Sequence, residues 1–480
     1  MSFTELITWF GLGCVLFPAL LLLILGLSAL MALKIRESIV VILTQWSASL
    51  SLACAFCVLF FMLGSGERFV TIDVGDWVAI EQEQFHFHIR FIFDRLSIPF
   101  LILSLILCLT VATFTRRYLH REPGFNRFFL LYAFFLNGII LSSVAGTIET
   151  LFFGWELVGI SSALLVAFFL DRESPVQNGQ RVWGIYRLAD ASFLLGALAM
   201  HHFTGHGDFA SFVGTEPWPE SQAALTANQS FLVGCLLLVA ACGKSALVPF
   251  SGWLARAMEG PTPSTAIFYG ALSIHLGAYL LLRVSPVLES SIALRILIVG
   301  VGLTTAIAAW LISRVGCDVK SVLAYASLTQ VGIIVVEIGL GFYYLALIHM
   351  VGHACLRTMQ LLRAPTLITD YQAIENALGN KMSKKDITRE GWLPRSMQIA
   401  IYRFGYDRGY MDLILDSIFI KSFRNFFLWA DHQERRWADF ICGDEDHDTD
   451  RIDLHPEERL ALKTNTEPSS WSLHNQEETR

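Results

Sequence analysis

The chain has 480 residues, of which 54% are hydrophobic and only 16% are charged. Soluble globular proteins carry about 25% charged residues, so this composition excludes an ordinary soluble enzyme. The net charge of −7 is concentrated at the end of the chain, because residues 431–480 carry 14 acidic and 6 basic side chains. The preceding residues are close to neutral and contain no basic patch, which argues against a nucleic-acid-binding protein.

Long apolar runs indicate the fold class. Each is about 18–25 residues long, the length of helix that crosses about 30 Å of hydrocarbon. We predict an all-α polytopic membrane protein whose transmembrane domain covers residues 1–365. Its eleven predicted spans lie at approximately residues 12–33, 38–63, 97–115, 127–146, 151–170, 182–202, 231–252, 264–283, 292–313, 321–341 and 342–362.

The segment between the second and third predicted spans has a different pattern. From Phe69 to Phe93, apolar and polar residues alternate, with turn signals at Gly75–Asp76 and at Glu81–Gln84. Alternation with a period of two, interrupted by turn residues, is typical of a β-hairpin. We therefore predict a small hairpin at about residues 66–95, on one face of the membrane.

The basic residues of the loops predict the orientation of the chain. They concentrate in odd-numbered loops, at Lys34, Arg36, Arg116, Arg117, Arg121, Arg127, Arg314 and Lys320. Since loops rich in Lys and Arg face the cytoplasm, the N-terminus and the hairpin are predicted to be extracytoplasmic. After eleven spans, the C-terminal segment is predicted to be cytoplasmic.

Beyond the last span, residues 366–442 are expected to form a cytoplasmic polar linker and an amphipathic helix. Apolar residues recur at helical spacing from Met411 to Ala430, with charged residues on the opposite face. A helix of this kind lies on the membrane surface or against a partner. The acidic residues 443–480 are expected to be disordered or bound by a partner.

Ionisable residues inside the spans are candidates for function, because burying a charge in hydrocarbon costs at least about 3 kcal/mol. Lys244 stands between Gly243 and Pro249 in the seventh span. A proline removes a backbone hydrogen bond, so we predict a broken seventh helix whose freed carbonyls and water surround the ammonium. The alternative is a lysine that snorkels from a span end.

The other charged candidates leave alternatives open. Glu156 is read as a proton-relay or ion-pair residue, or as a structural buried carboxyl. Arg187 and Asp190 are three residues apart on one helix face, so a simple helix-end salt bridge is the alternative to a functional pair. Glu337 is near the end of its span, where it can reach the membrane interface.

Two histidines, His349 and His353, are four residues apart on one face of the eleventh span. The preferred interpretation is a hydrated polar face beside a proton path, and the alternative is a pair of core histidines with satisfied hydrogen bonds. A zinc site is disfavoured, because the spacing lacks the glutamate of a zinc protease and any third ligand. Arg357 continues the same face.

These residues and their neighbours resemble the large antiporter-like subunits of respiratory complex I and of Mrp cation/proton antiporters. The resemblance is carried by WELVGISSALLVAFF from Trp155, GKSALVPFSGWLARAMEGPTPSTA from Gly243, CDVKSVLAYASLTQVG from Cys317, HMVGHACLR from His349 and FDRLSIPF from Phe93. It covers about residues 70–365. It implies helices in two inverted halves, each with a broken helix, and a hydrated axis of charged residues across the middle of the membrane.

The resemblance also assigns roles to individual residues. Glu156 matches the conserved glutamate of the family, Lys244 its broken-helix lysine, and Asp190 an acidic residue that faces this pair. His349 and His353 match two histidines of the central axis.

Two positions depart from the family pattern. Where the family has a histidine after the GPTP motif, this chain has Tyr269, and where it has a central lysine, this chain has Arg357. Arginine is effectively never deprotonated, so Arg357 is expected to be a fixed positive charge. Tyr269 can hydrogen-bond water but titrates far above neutrality, and His275 on the same helix is a candidate replacement.

A third departure concerns the end of the membrane domain. The complex I subunit has further spans after the two-histidine helix, whereas the hydropathy of this chain falls at Leu362. The later run RGYMDLILDSIFIKSFRNFF, from Arg408, resembles the segment that follows the last core spans of the complex I subunit. Within the family, this shortened pattern is most similar to DabB, the membrane subunit of the Dab inorganic-carbon uptake complex. That resemblance implies a bacterial inner-membrane protein.

The Dab resemblance implies a DabA-like cytoplasmic partner, a zinc protein similar to a β-carbonic anhydrase. This chain is expected to hold no cofactor and to perform no catalytic chemistry. We expect it to be a transport subunit that moves protons or sodium and couples their gradient to inorganic-carbon uptake. The alternatives are a divergent complex I-like or Mrp-type subunit and a non-conducting membrane anchor.

Overall fold

The computed structural model describes residues 3–80, 85–205, 207–214, 216–316, 318–378 and 395–442. Within them, eleven helices are long and apolar enough to cross a membrane, which confirms the predicted all-α polytopic fold. They are α1 (Phe3–Leu30), α2 (Glu37–Ser65), α3 (Ser97–Tyr118), α4 (Phe125–Val144), α5 (Ile148–Val166), α6 (Glu173–Thr204), α7 (Ala227–Lys244), α8 (Thr262–Arg283), α9 (Ile292–Val315), α10 (Val319–Leu340) and α11 (Tyr343–Leu378).

Each helix overlaps one predicted span. The main differences are that α1 and α6 begin earlier than predicted and that α11 continues beyond residue 362. The reason is that backbone hydrogen bonding propagates a helix past its apolar stretch. Hydropathy therefore locates the membrane-crossing part of a helix better than its ends.

The seventh helix is broken where the sequence predicts it. Helix α7 ends at Lys244, and three short helical turns follow at Phe250–Gly252, Trp253–Arg256 and Ala257–Glu259. Side chains bind backbone groups that the break frees. Nε1 of Trp253 donates to the carbonyl of Gly243 (3.1 Å), and the amide of Val248 donates to Oγ1 of Thr305 (3.0 Å). Such bonds make a broken helix tolerable in a membrane.

Helix α8 is enclosed by the rest of the protein. Every residue from Thr262 to Arg283 is buried. The helix is irregular, with a π-helical turn at Thr265–Tyr269 and a non-helical backbone at Ala271 (φ −131°, ψ −77°). Irregularities of this type are frequent at functional sites, and this one lies one turn before His275.

The predicted hairpin is present. Strands β1 (Phe69–Ile80) and β2 (Phe85–Asp94) are antiparallel, with register shifts between Asp73 and Gly75 and between Asp76 and Val78. The predicted turn at Glu81–Gln84 lies outside the described residues. At its membrane end, the hairpin is attached to α8 by a buried ion pair, in which Nη1 of Arg283 lies 2.5 Å from Oδ2 of Asp94.

Loop contacts divide the connections between helices into two faces. On the hairpin face, the amide of Gly146 after α4 donates to the carbonyl of Arg90, and Nη1 of Arg90 lies 2.9 Å from Oδ2 of Asp208 after α6. On the other face, Nη2 of Arg127 donates to the carbonyl of Phe168 after α5. This alternation is the one expected for eleven crossings. Which face is cytoplasmic stays a prediction.

The chain divides into two units, Met1–Leu415 and Asp416–Arg480. In the first, α12 (Arg395–Tyr406) and α13 (Met411–Leu415) follow the last span, and Met411 and Leu415 are buried. In the second, a π-helical turn leads into α14 (Lys421–Cys442), on which Phe426, Phe427, Trp429 and Trp437 are exposed.

The predicted apolar stripe from Met411 to Ala430 is therefore divided. Its first part packs on this chain. The expectation of a membrane surface or a partner is wrong for this part, because periodicity identifies an apolar face but not what covers it. Residues 379–394 of the predicted linker and the predicted tail 443–480 lie outside the described residues.

Candidate functional site

Four charged residues from three helices form what we term the lysine cluster: Glu156, Arg187, Asp190 and Lys244. Nη2 of Arg187 contacts Oε2 of Glu156 and lies 2.9 Å from Oδ2 of Asp190. Nε1 of Trp155 donates a hydrogen bond of 2.6 Å to Oδ1 of Asp190. The pair of Arg187 and Asp190 is thus formed, but it is not an isolated helix-end salt bridge, since α5 adds a second carboxylate and a tryptophan.

Lys244 is enclosed at the break of the seventh helix. Its side chain is 1% exposed, and Nζ donates to the carbonyl of Trp155 (3.0 Å). The ammonium also lies 4.4 Å from the ring centroid of Tyr186 and 4.9 Å from that of Trp155. Among the described residues, no carboxylate lies within ion-pair distance of Nζ. Lys244 therefore does not snorkel to the surface.

The environment of Lys244 suits a cation that is not held by a counter-ion. Aromatic faces attract an ammonium, and the C-terminal end of a helix carries a partial negative charge. A Cβ at Gly159 would lie only 2.9 Å from Nζ, so the space for the ammonium depends on a glycine. An ammonium held mainly by polarisable groups can lose its proton more easily than one in a salt bridge.

A second group, the histidine cluster, consists of His275, Glu337, His349, His353 and Arg357. Nε2 of His275 lies 3.0 Å from Nδ1 of His353, and Nδ1 of His275 contacts the carbonyl of Ala271. Nδ1 of His349 lies 2.9 Å from Oε1 of Glu337. Glu337, which was predicted near a span end, is thus half-buried against the neighbouring helix.

Arg357 does not contact Glu337. Its Nε donates to Nε2 of His353 (3.2 Å), Nη1 to Oε1 of Gln360 (2.7 Å) and Nη2 to the carbonyl of Ala326 (3.0 Å). A guanidinium only donates hydrogen bonds, so Nε2 of His353 is the acceptor. The Nδ1–H of His353 then donates to His275, whose own Nδ1–H donates to the Ala271 carbonyl. These contacts assign one tautomer to each ring.

Tyr269 belongs to the lysine cluster side of the protein. Its hydroxyl donates to the carbonyl of Ser162 on α5 (3.1 Å), and its ring lies 5.4 Å from that of Trp253. Trp253 also packs on Tyr186 at 5.2 Å, and Tyr186 covers Lys244. Tyr269 therefore supports the wall around Lys244.

Buried hydroxyls occupy the region between the two clusters. The hydroxyls of Tyr186, Ser273 and Ser245 are buried and have no hydrogen-bond partner among the described residues, and Ser273 precedes His275 by two residues on α8. A Cβ at Gly277 would lie 2.3 Å from Oγ of Ser245, the residue after Lys244. Helix α8 thus places polar groups close to both Lys244 and His275.

Sequence reasoning did not identify Trp155, Tyr186, Trp253 or the ion pair of Arg283 with Asp94. The first two were visible as aromatic residues directly before Glu156 and Arg187. Among the residues that the structure describes, no group of three or more His, Cys, Asp or Glu side chains could hold a metal ion.

Comparisons with known proteins identify the family. The family described as "NADH:quinone oxidoreductase/Mrp antiporter, TM" matches residues 145–389, and "NADH-Ubiquinone oxidoreductase (complex I), chain 5 N-terminus" matches residues 77–129. NADH-ubiquinone oxidoreductase chain 5 of Cryptococcus neoformans is 32% identical over 373 residues, which are 77% of this chain and 54% of that protein. The Neurospora crassa protein of the same name is 32% identical over 309 residues, 64% of this chain and 42% of that protein.

Two solved structures share the fold. An Mrp complex from Dietzia sp. DQ12-45-1b superposes with a TM-score of 0.61 at 24% identity, over 80% of this chain and 39% of that chain. The membrane-bound sulfane sulfur reductase, an archaeal respiratory membrane complex, gives 0.60 at 19% identity, over 77% and 72%. The chain spans about half the length of the curated relatives that it matches. It belongs to the transmembrane family of NADH:quinone oxidoreductase and Mrp antiporter subunits.

Proposed function

We propose that this chain is an ion-translocating subunit of a membrane complex and that protons are the ions it moves. The observation that carries the proposal is the pair of clusters at the enclosed helix α8, where a buried lysine and a linked pair of histidines lie among polar side chains. Charged groups inside a membrane are costly and usually mark ion paths. The protein would act as a transport subunit and not as an enzyme.

In this mechanism, protons enter from the hairpin face and reach Glu156, whose carboxylate shares Arg187 with Asp190. Lys244 takes up and releases protons beside this pair. Hydroxyls and water along α8 carry them to His275 and His353, and Glu337 with His349 offers a further site. Sodium is the alternative ion. A potential of 100 mV contributes about 2.3 kcal/mol for each charge that crosses.

Arg187 supports the proposal that the chain works in a hetero-complex. Its side chain is 38% exposed, although it lies in the middle of the membrane-spanning helix α6. A guanidinium in contact with lipid is costly, so water or a neighbouring transmembrane segment must cover it. The relatives are, by name, a chain of NADH-ubiquinone oxidoreductase and a part of an Mrp complex.

The specific complex that we propose is an inorganic-carbon uptake system of the Dab type in a bacterial inner membrane. Ion flow would drive a cytoplasmic, DabA-like zinc protein that hydrates CO2 to bicarbonate. The exposed side chains of Phe426 and Trp429 on α14 support this choice, because they offer an apolar surface to a cytoplasmic partner. A divergent complex I-like or Mrp-type subunit is the second candidate, favoured by the names of the relatives. A non-conducting membrane anchor is the third.

One reconstitution tests these candidates. Vesicles containing this chain, with and without the protein that co-purifies with it, are given a pH gradient, and internal pH is followed by fluorescence. Proton flux supports the ion-translocating subunit, and its absence in both preparations indicates an anchor. A co-purified zinc protein that hydrates CO2 only with an intact gradient supports the Dab-type complex. Co-purification with quinone-reducing or other antiporter subunits favours the second candidate.

A further inference from the structure

A cluster of charged side chains lies where the broken helix meets the segment after α11, and the ion path proposed above does not include it. Its centre is Asp412, the second residue of α13. Nη2 and Nε of Arg256 lie 2.7 Å and 3.2 Å from Oδ2 of Asp412, and Nη2 of Arg181 lies 3.3 Å from Oδ1. One carboxylate thereby connects α6 with the second half of the broken helix.

Gly252 makes this contact possible. A Cβ at this position would lie 2.2 Å from Oδ1 of Asp412 and 2.9 Å from its Cγ, which is closer than side chains approach one another. The backbone of Gly252 has ordinary right-handed helical angles (φ −63°, ψ −30°). Its conformation therefore does not require glycine, and the close approach of Asp412 is what excludes a side chain.

The turn before Asp412 has an unfavourable backbone. Arg408, Gly409 and Tyr410 have φ angles of 52°, 73° and 57°. Left-handed angles are costly for residues other than glycine and persist only where surrounding contacts hold them. The buried side chain of Met411 and the ion pairs of Asp412 are such contacts. The turn and the carboxylate thus hold each other in place.

The cluster is connected through the chain to the lysine cluster. Arg181 is on the same helix as Arg187, less than two turns away. Arg256 follows Lys244 across the break, in a run of three helical turns of three or four residues each. A segment of this kind relies on side-chain contacts for its position, and Asp412 provides two of them.

The cluster is also near the histidine cluster. Tyr325 is buried on α10, near Arg408, Asp412 and Arg256. The next residue, Ala326, accepts a hydrogen bond from Arg357 through its carbonyl. A shift of Asp412 or Arg256 would therefore change the surroundings of both the lysine cluster and the histidine cluster.

A polar cavity of about 500 Å³ opens beside these residues. Asn178, Arg256, Glu259, Lys320 and Arg408 contribute to its wall. It is on the face opposite the hairpin, because its wall includes Ser174 at the start of α6 and Lys320 at the start of α10. A cavity with polar walls of this size holds water, so it offers a passage between the broken helix and the aqueous phase.

We propose that Asp412 is a positioning residue for ion translocation. It locks the second half of the broken helix against α6 and so maintains the passage by which ions leave toward the face opposite the hairpin. Without the carboxylate, Arg181 and Arg256 repel each other, and the segment Phe250–Glu259 moves away from α6. The predicted effect on ion flux rests on the proposed function, whereas the effect on this segment does not.

The first test measures amide hydrogen exchange of residues 250–259 in the purified full-length protein. Asp412→Asn and Gly252→Ala should each increase the exchange rate at least about tenfold, because both break the lock in different ways. The matched controls are Asp431→Asn, which removes an exposed carboxylate, and Gly300→Ala, where a Cβ meets no atom within 4 Å. They should leave the exchange unchanged. Unchanged exchange in both Asp412→Asn and Gly252→Ala would overturn the proposal.

The second test uses a reversible lock in vesicles. In the double variant Asp412→Cys with Gly252→Cys, the two side chains are close enough to form a disulfide. The disulfide replaces the lost carboxylate in fixing residues 250–259 to α13. The oxidised protein should therefore conduct ions, and the reduced protein, which has the same sequence, should conduct at least about tenfold less. Wild-type protein treated with the same oxidant and reductant corrects for its native cysteines.

The two tests separate the lock from the function. Equal flux in the oxidised and reduced double variant overturns the positioning role. Flux that appears only after reduction also overturns it, because residues 250–259 would then have to move for ions to pass. If the wild-type protein conducts no ions, the proposed function fails while the exchange measurement still decides whether the lock exists.

Discussion

Nε2 of His275 lies 3.0 Å from Nδ1 of His353, although the two residues are 78 positions apart in the sequence. The contact joins the enclosed helix α8 to α11, and Arg357 donates to the other ring nitrogen of His353. A guanidinium keeps its proton at all physiological pH values. Arg357 therefore contributes a fixed positive charge beside the histidine pair.

His275→Gln should reduce proton flux at least about tenfold if the ring takes part in proton transfer. The glutamine amide can replace a hydrogen bond but cannot take up a proton. Flux is measured in vesicles from the decay of an imposed pH gradient. His120→Gln is the matched control, because His120 is exposed and pairs with Glu37 away from both clusters. Full flux in His275→Gln would show that protons bypass the histidine pair.

Lys244→Ala should abolish ion flux while the protein still folds and assembles. Since Nζ has no carboxylate at ion-pair distance among the described residues, the substitution leaves no buried counter-ion unpaired. The cost in folding free energy should therefore be that of the cavity left by a buried side chain, about 2–5 kcal/mol. Thermal melting and gel filtration measure this, and Lys421→Ala at the start of α14 serves as the control. Wild-type flux in Lys244→Ala would exclude it from the path.

Glu156→Ala is expected to have the same effect on flux for a different reason. Arg187 keeps Asp190 as a partner, so its charge stays compensated and assembly should survive. What is lost is the carboxylate by which α5 binds Arg187 within the lysine cluster. Ion-dependent acidification of the vesicle lumen is the measurement. Unchanged rates would make Glu156 a structural carboxyl.

The spans and the break at Lys244 could be predicted from the sequence because their signals are local. Apolar run length specifies a membrane helix, and Pro249 five residues after Lys244 specifies the break. The partners of the charges could not be predicted in this way. Glu337 pairs with His349 and not with Arg357, and this choice depends on side-chain direction across α10 and α11.

Periodicity was also insufficient for the segment after α11. The apolar stripe from Met411 onward has the same spacing in both units of the chain, but Met411 and Leu415 are buried while Ile418 and Phe426 are exposed. The contact of Asp412 with Arg256 joins residues 156 positions apart. A single sequence contains no direct signal for such a pairing. Gly252 reflects the contact, because a side chain there would collide with Asp412.

The ion pair of Asp94 with Arg283 predicts a large effect on stability. Both side chains are buried, at 1% and 4% exposure. Asp94→Ala leaves a guanidinium buried without its partner, which should cost about 3–5 kcal/mol. Asp73→Ala in the same hairpin removes an exposed partner of Arg90 and should cost at most about 1 kcal/mol. Thermal unfolding of the two purified variants compares them directly. Equal losses would contradict the assignment of Asp94 as the anchor of the hairpin.

Arg357 allows a test of whether charge or proton exchange matters at the end of the histidine cluster. It is held by Gln360, by the carbonyl of Ala326 and by His353, and none of these neutralises it. If it acts as a fixed charge that tunes the neighbouring histidines, Arg357→Lys should keep substantial flux at neutral pH. A lysine retains the charge but cannot form all three hydrogen bonds at once, so some loss is expected.

Arg357→Met should lose the flux, since methionine keeps most of the volume of the side chain and none of its charge. Gel filtration and thermal melting establish that this variant assembles normally, and Arg363→Met, beyond the histidine cluster on the same helix, is the matched control. Full flux in a normally assembled Arg357→Met protein would refute the electrostatic role. Protons would then have to leave through the part of the protein that contains Glu156 and Lys244, and the histidine pair would be a structural contact between α8 and α11.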